Sequence, residues 1–547
     1  MRYTESRLSA AISFLLLATH LVWTSPASAA TRPRYGGTLR VEVQTVKVSF
    51  DPREWQAGAL EAAGNEKLAE LVFERLVALD NYGRFQPVLA TEWSHDASSK
   101  RWQFTIRAGV KFSDGSMLTA TDVVAALQPL LPGTQQISMT GNAVVIKSSV
   151  PAPDLMEQLA SGRYFVYRTT ANGALVGTGP FVLAEAPPGT GQSEEKNSPS
   201  PRADTSSAAA SSDAASRSGA AHLFFRANED AWSGRPFVDG IDVTLGVPSL
   251  RAMFDLQLGK ADLIELSPEL VPRARQAGLR VWTSEPMTLY GLRFDDAQSL
   301  ATDVRLREAL SLSFDRDTMA NVLLQKQAEP AAALLPEWLS GYAFLFHVDT
   351  NLERAKELRS GLPSKKAGVA EVLRLRVDPA GDLAKLLGER VAVNARQAAI
   401  PVQVFSRPVT RGGVAAPVLS EPAAGIHLFV WHYSSLSPRA ELDSMFAAYN
   451  LTEPSEVNAT STVYEQLYAR ERRILEEWRV LPLVTEAECV GLGPTVRDWM
   501  PASWGEWHLA DVWLELPEPA RADSSNPPNG KLPISRQPRP AAPGAKP

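Results

Sequence analysis

The chain has 547 residues, 44% of them hydrophobic, and 55 Lys plus Arg against 61 Asp plus Glu, for a formal charge of -6. That length exceeds one ordinary hydrophobic core and predicts two or more lobes. The acidic balance, with no basic run and no stripe of basic and aromatic residues, argues against nucleic acid as a partner.

The first element is a leader. Arg2 and Arg7 precede an apolar run from Leu8 to Trp23, and Ala27-Ser28-Ala29 is a small-x-small cleavage site, which together predict a signal peptide over residues 1–29. The run is short for a spanning helix of about 20 residues. Removing the leader leaves about -7 on the exported chain. The single cysteine, Cys489, lies far from the cleavage site, so neither a lipid-accepting cysteine nor a disulfide framework is expected. A soluble exported protein that is not a lipoprotein follows.

Along the mature chain, Leu68, Leu71, Val72, Leu76 and Leu79 recur at helical spacing and predict an amphipathic helix over residues 65–79. Asp80, Asn81 and Gly83 then supply turn chemistry. Trp102, Phe104 and Ile106 alternate with polar residues, as a half-buried strand requires, and Ser113-Asp114-Gly115 makes the next turn. Thr119 and Asp122 resemble a capping box, with Asp where Glu or Gln is usual, so a helix is expected from about Ala120. Residues 186–221 are Pro, Gly, Ser, Ala, Asp and Lys with almost no large apolar side chain, and predict a disordered insertion. Leu373–Val377, Gly381–Ala398 and Pro401–Phe405 read as strand, helix and strand, a right-handed parallel βαβ unit. Ile426–Trp431 adds a buried strand. Ligands of open α/β sheets lie beyond the carboxyl ends of strands, so the loop after Trp431 is the leading candidate for contacts in a cleft. Residues 517–547 predict a disordered Pro-rich tail.

Several segments carry an ordered series of motifs. The stretch from Gly36 reads GGTLRVEVQ, then FERLVALDNYGRFQPVLATEWSHDASSKRWQFTIRAGVKFSDGSMLTATDVVAAL. It is followed by Gly177-Thr178-Gly179-Pro180-Phe181, by Trp232-Ser233-Gly234-Arg235-Pro236-Phe237-Val238-Asp239, and by Leu258-Gly259-Lys260-Ala261-Asp262. Val304 to Asp317 and Asp349 to Leu358 continue the order, the former with an extra residue between Arg305 and Ala309. This series resembles the extracellular solute-binding proteins of family 5, the periplasmic peptide-, nickel- and oligosaccharide-binding components of ABC importers. The resemblance covers roughly residues 36 to 515 apart from the insertion.

The resemblance implies an α/β, two-lobed periplasmic-binding-protein fold of type II, with the extra subdomain of the large peptide-binding class. Lobe I would comprise residues 36–58, 174–185, 222–286 and 480–516, the extra subdomain 59–173, and lobe II 287–479. It implies a monomeric periplasmic protein that captures a small-molecule ligand, peptide-like, oligosaccharide or related, by hinge closure and delivers it to an inner-membrane ABC permease. An alternative is the same fold repurposed as a non-transport ligand sensor or interaction protein. No catalytic residue and no cofactor is expected, since the sequence has no G-x-S-x-G, no H-E-x-x-H and no P-loop.

The chain departs from the peptide-binding pattern W-x-x-D-x-x-D-P. It reads Trp431-His432-Tyr433-Ser434-Ser435-Leu436-Ser437-Pro438, so the carboxylate that the resemblance would pair with a peptide ammonium is a serine. An unpaired buried ammonium costs several kcal/mol, which lowers ordinary oligopeptides and favours neutral or anionic solutes unless another acid substitutes. The candidate ligand-binding residues are Trp55, Tyr290, Arg293, Trp431, Tyr433 and Ser434, with Arg293 suited to an anionic ligand. His427 and His432 stand five apart on an extended strand and face opposite sides without Cys or carboxylate companions, so no metal site is expected there.

Overall fold

The computed structural model describes residues 32–185, 221–295, 299–362, 372–377, 382–406, 424–451 and 462–515. The signal peptide, the 186–220 part of the insertion and the C-terminal tail lie outside the described residues.

Eleven strands form one large sheet: β1 (Thr38–Glu42), β2 (Phe181–Ala184), β3 (His222–Ala227), β4 (Gly240–Thr244), β5 (Leu263–Leu266), β6 (Arg280–Phe294), β7 (Ala328–Pro330), β8 (Leu373–Val377), β9 (Val402–Ser406), β10 (Ile426–His432) and β11 (Val480–Leu492). Their spatial order is β2-β3-β4-β1-β5-β11-β6-β10-β8-β9, with β7 against β11. Strand β1 is parallel to β4 and β5, and β8 is parallel to β9 and β10. Between these two halves run β6 and β11, an antiparallel pair long enough to belong to both. The molecule is thus two α/β lobes joined through two shared strands. The pair is not regular. Its register shifts between Thr283 and Pro286, between Pro286 and Thr288, and between Tyr290 and Gly291. Extra residues at such shifts bend a strand and increase its twist.

Apolar burial follows the same division. One core collects β1, β3, β4 and β5 with the four-stranded antiparallel sheet of residues 90–95, 101–106, 135–140 and 143–148. A second lies between β8, β9, β10 and the helices packed on them. The expected βαβ unit is present, with α3 (Asp382–Gln397) between parallel β8 and β9. The capping box at Thr119 is also formed, both bonds being made as α2 (Ala120–Leu127) begins.

The helix expected over residues 65–79 ends early. Helix α1 spans Leu60–Ala69, and Val77–Leu79 is a strand. The side chains of Leu68, Leu71, Val72, Leu76 and Leu79 are all buried, so the spacing marked burial correctly and the element wrongly. The reason lies in the backbone. The carbonyls of Leu71 and Val72, which a continuing helix would use, accept instead from Phe181 N (2.8 Å) and Gly179 N (2.9 Å). Close approach also requires glycine here, because a Cβ on Gly177 would sit 2.0 Å from the Val72 carbonyl oxygen.

Candidate functional site

Where the two lobes meet, residues from both line a cavity. Helix α1 supplies Ala63, Glu66 and Lys67, its C-cap supplies Glu70, and β11 supplies Glu488. The segment before the C-terminal strand supplies Trp504, Gly505 and Glu506, and the loop following β10 supplies Tyr433, Ser434, Ser435 and Leu436. Met287 and His432 line it from the bent centre of the sheet, and Trp338 from the second lobe.

Two ion networks stand behind this wall. In the first, Arg75 reaches Glu66 at 2.5 Å and Glu506 at 2.8 Å. It also donates to the carbonyl of Gly162 at 2.9 Å and lies 4.1 Å over the Phe165 ring. Carboxylate oxygens of Glu66, Glu70 and Glu506 all lie within 4.8 Å of one another. Burial, together with repulsion from Glu70 and Glu506, pushes Glu66 up to about 8. Burial and Glu506 push Glu70 up to about 7. Glu506 is itself held below the usual carboxylate range, because Arg75 and His508 outweigh its burial. In the second network, Lys67 bonds Glu488 (3.0 Å) and Glu265 (3.2 Å). Burial opposes the ammonium, yet the two carboxylates hold its pKa above the ordinary lysine value.

His432, at the end of β10, contacts Thr288 Oγ1 through Nδ1 at 3.2 Å. Burial, with Lys67 nearby, lowers its pKa to about 3. The imidazole is therefore neutral across the physiological range.

The loop after β10 is tied down by an acid seven residues beyond the motif's first aspartate position. Glu441, in α4 (Pro438–Tyr449), accepts from Ser434 N (2.7 Å), Ser435 N (2.5 Å) and the indole of Trp431 (2.9 Å). Ser437 caps α4, its side chain accepting from Ala440 N. The two serines that replace aspartates are thus parts of a helix-capping loop, with Glu441 as its internal anion.

Of the six candidate residues, the structure brings two to the cavity, Tyr433 and Ser434. Trp431 is 1% exposed and packs behind the loop, edge-on to Tyr449. Trp55 is in the first core, its indole donating to Ser49 O. Tyr290 is buried against Glu486, and Arg293 lies over the Tyr449 ring. None of these four lines the cavity. Four glutamates, Glu66, Glu70, Glu488 and Glu506, stand in the cavity wall where the motif's aspartates are absent. These come from three segments far apart in sequence, and only the i, i+4 pair Glu66 and Glu70 was a local signal that a helix face could gather acids.

A sequence model described as "Bacterial extracellular solute-binding proteins, family 5 Middle" matches residues 84–198 and 215–413, more than half of the chain. The nickel-binding periplasmic protein of Escherichia coli is 23% identical over 301 residues, 49% of this chain and 51% of that protein. The chain therefore spans about half the length of that curated relative. Among solved structures, NikZ from Campylobacter jejuni in complex with Ni(L-His) superposes with a TM-score of 0.68 at 15% identity, covering 87% of this chain and 99% of the other. The oligopeptide-binding protein AppA from Bacillus subtilis, in complex with a nonapeptide, gives 0.63 at 16% identity, covering 88% and 100%. At such identities the likeness establishes the fold.

Proposed function

The chain belongs to the bacterial extracellular solute-binding proteins of family 5, and from that premise we propose that it is exported to the periplasm, captures a small solute between its lobes and delivers it to an inner-membrane ABC importer. The observation that carries this reading is the cavity whose wall is contributed by both lobes and by the two strands they share. A solute held there touches both lobes only when they are closed, and such differential contact is what can shift an open–closed equilibrium. The lobe boundaries expected from the sequence belong to the same proposal, as does the monomeric state. Tyr433 and Ser434 are proposed as ligand contacts, joined by Glu66, Glu70, His432, Glu488 and Trp504.

The test pairs melting temperature with small-angle scattering across peptides, oligosaccharides, metal chelates and amines. A ligand of the folded state present at a hundred times its Kd stabilises by about 2.7 kcal/mol, and closure reduces the radius of gyration. A compound that raises the melting temperature and compacts the protein supports the reading. Failure of every class to do either overturns it.

A further inference from the structure

The backbone donors of the loop after β10 are engaged: His432 N with Gly58 O, Tyr433 N with Met287 O, Ser434 N and Ser435 N with Glu441, and Leu436 N with Ser161 Oγ. The indole N–H of Trp338 bonds Pro286 O and that of Trp504 bonds Glu506, so both tryptophans offer the cavity ring surface. The cations are committed as well, Lys67 and Arg75 each to two carboxylates.

On the acceptor side, Glu70 Oε1 is buried without a hydrogen-bond partner. The His432 side chain is 8% exposed, and Glu488 Oε1 lies 4.0 Å from its Nε2. In the tautomer whose Nδ1–H donates to Thr288 Oγ1, the neutral ring presents a lone pair at Nε2. Acceptors of this kind beside aromatic rings match an ammonium or guanidinium group, which gains both charge-assisted bonds and cation–π attraction.

We propose that the cleft takes a small organic cation bearing no anionic group, such as an alkyl diamine or a guanidinium-tipped amine; this rests on the solute-binding reading and narrows its ligand class. The cation donates to Glu70 Oε1 and His432 Nε2 and lies against Trp338 and Trp504. Glu66, Lys67, Arg75, Glu265, Glu441, Glu488, Glu506 and His508 are the charged or titratable groups that surround Glu70 and His432. Because burial and Glu506 raise the Glu70 carboxyl to about 7, it is partly protonated in the empty cleft. Cation binding requires the ionised form, so affinity rises as pH rises through 7.

The experiment is calorimetric titration of the full chain with 1,4-diaminobutane, 4-guanidinobutylamine, 4-aminobutanoate, nickel chloride and trialanine, at about pH 6 and about pH 8. The expected result is binding of the diamine or the guanidinium amine, tighter at the higher pH, with 4-aminobutanoate at least about tenfold weaker. Glu70→Gln should weaken the amine by about tenfold and flatten the pH dependence, its melting temperature without ligand confirming the fold. Inert amines overturn the proposal, as does nickel or trialanine binding in their place, or 4-aminobutanoate binding as tightly. If trialanine or nickel binds while amines do not, solute capture stands and the cation class falls; if none of the five binds and no compound compacts the protein in the scattering screen, both fall.

Discussion

Arg75→Met removes the cation at the centre of the acidic wall while preserving most of the side-chain length. The arginine is 8% exposed and is bonded to Glu66, Glu506 and Gly162 O. The variant leaves two buried carboxylates and a carbonyl without their donor, and breaking a buried pair in this way costs about 3–5 kcal/mol. The loss depends on pH. Without Arg75 the folded-state pKa values of Glu66 and Glu506 lie above their unfolded values, so the folded state binds more protons than the unfolded state. The penalty is therefore small near about pH 5, where both carboxyls can be protonated, and grows toward about pH 8 as Glu506 ionises, with Glu66 adding its share only above that. Urea titrations followed by tryptophan fluorescence at the two pH values measure it. A deficit below about 1 kcal/mol at the higher pH, or one of equal size at both, would refute the argument.

Burial likewise raises Glu66 to about 8 and Glu74, Glu441, Glu471 and Glu486 to about 7 in the unaltered protein. Raised acids favour the folded state below their folded pKa, so the melting temperature should fall between about pH 6 and about pH 8.5, and a rise over that interval would contradict it. Gly58→Ala places a methyl 2.2 Å from Trp431 Cε3 at a φ of +74°, for an expected loss of about 2–4 kcal/mol in urea titration. Because Gly58 O also accepts from His432 N, ligand affinity should fall with it. Cys489 is 3% exposed, and burial pushes its thiol up to about 12, so Ellman's reagent should react only at the rate of unfolding; immediate reaction in native buffer would place the strand edge elsewhere.

Elements whose determinants are local were legible in the sequence. The capping box at Thr119, the strand Arg101–Ile106 and the β8-α3-β9 unit each depend on patterns within a few residues of themselves. The helix that stops at Ala69 depended on something distant, the amides of Gly179 and Phe181 taking its carbonyls. The site divides in the same way. The loop after Trp431 could be found because strand ends in α/β sheets gather ligands. Its chemistry could not, since Glu66, Glu488 and Glu506 acquire their meaning only when α1, β11 and the 504–508 segment are folded together.

That placement bears on how binding could drive closure. The cavity sits where β6 bends: Met287 O receives Tyr433 N, and Pro286 O receives the Trp338 indole, both between two of the register shifts of the β6–β11 pair. Lys67 and its two glutamates lie on the first-lobe side, while His432 and Trp338 are carried by the second. A cation accepted by Glu70 and His432 together would therefore span the bend. Closing the lobes brings the neutral imidazole to the carboxylates without burying a second positive charge, which a protonated histidine would do. On the proposed reading a neutral His432 adds no charge against the bound cation, so His432→Lys should weaken amine binding in calorimetric titration, and unchanged affinity would contradict it.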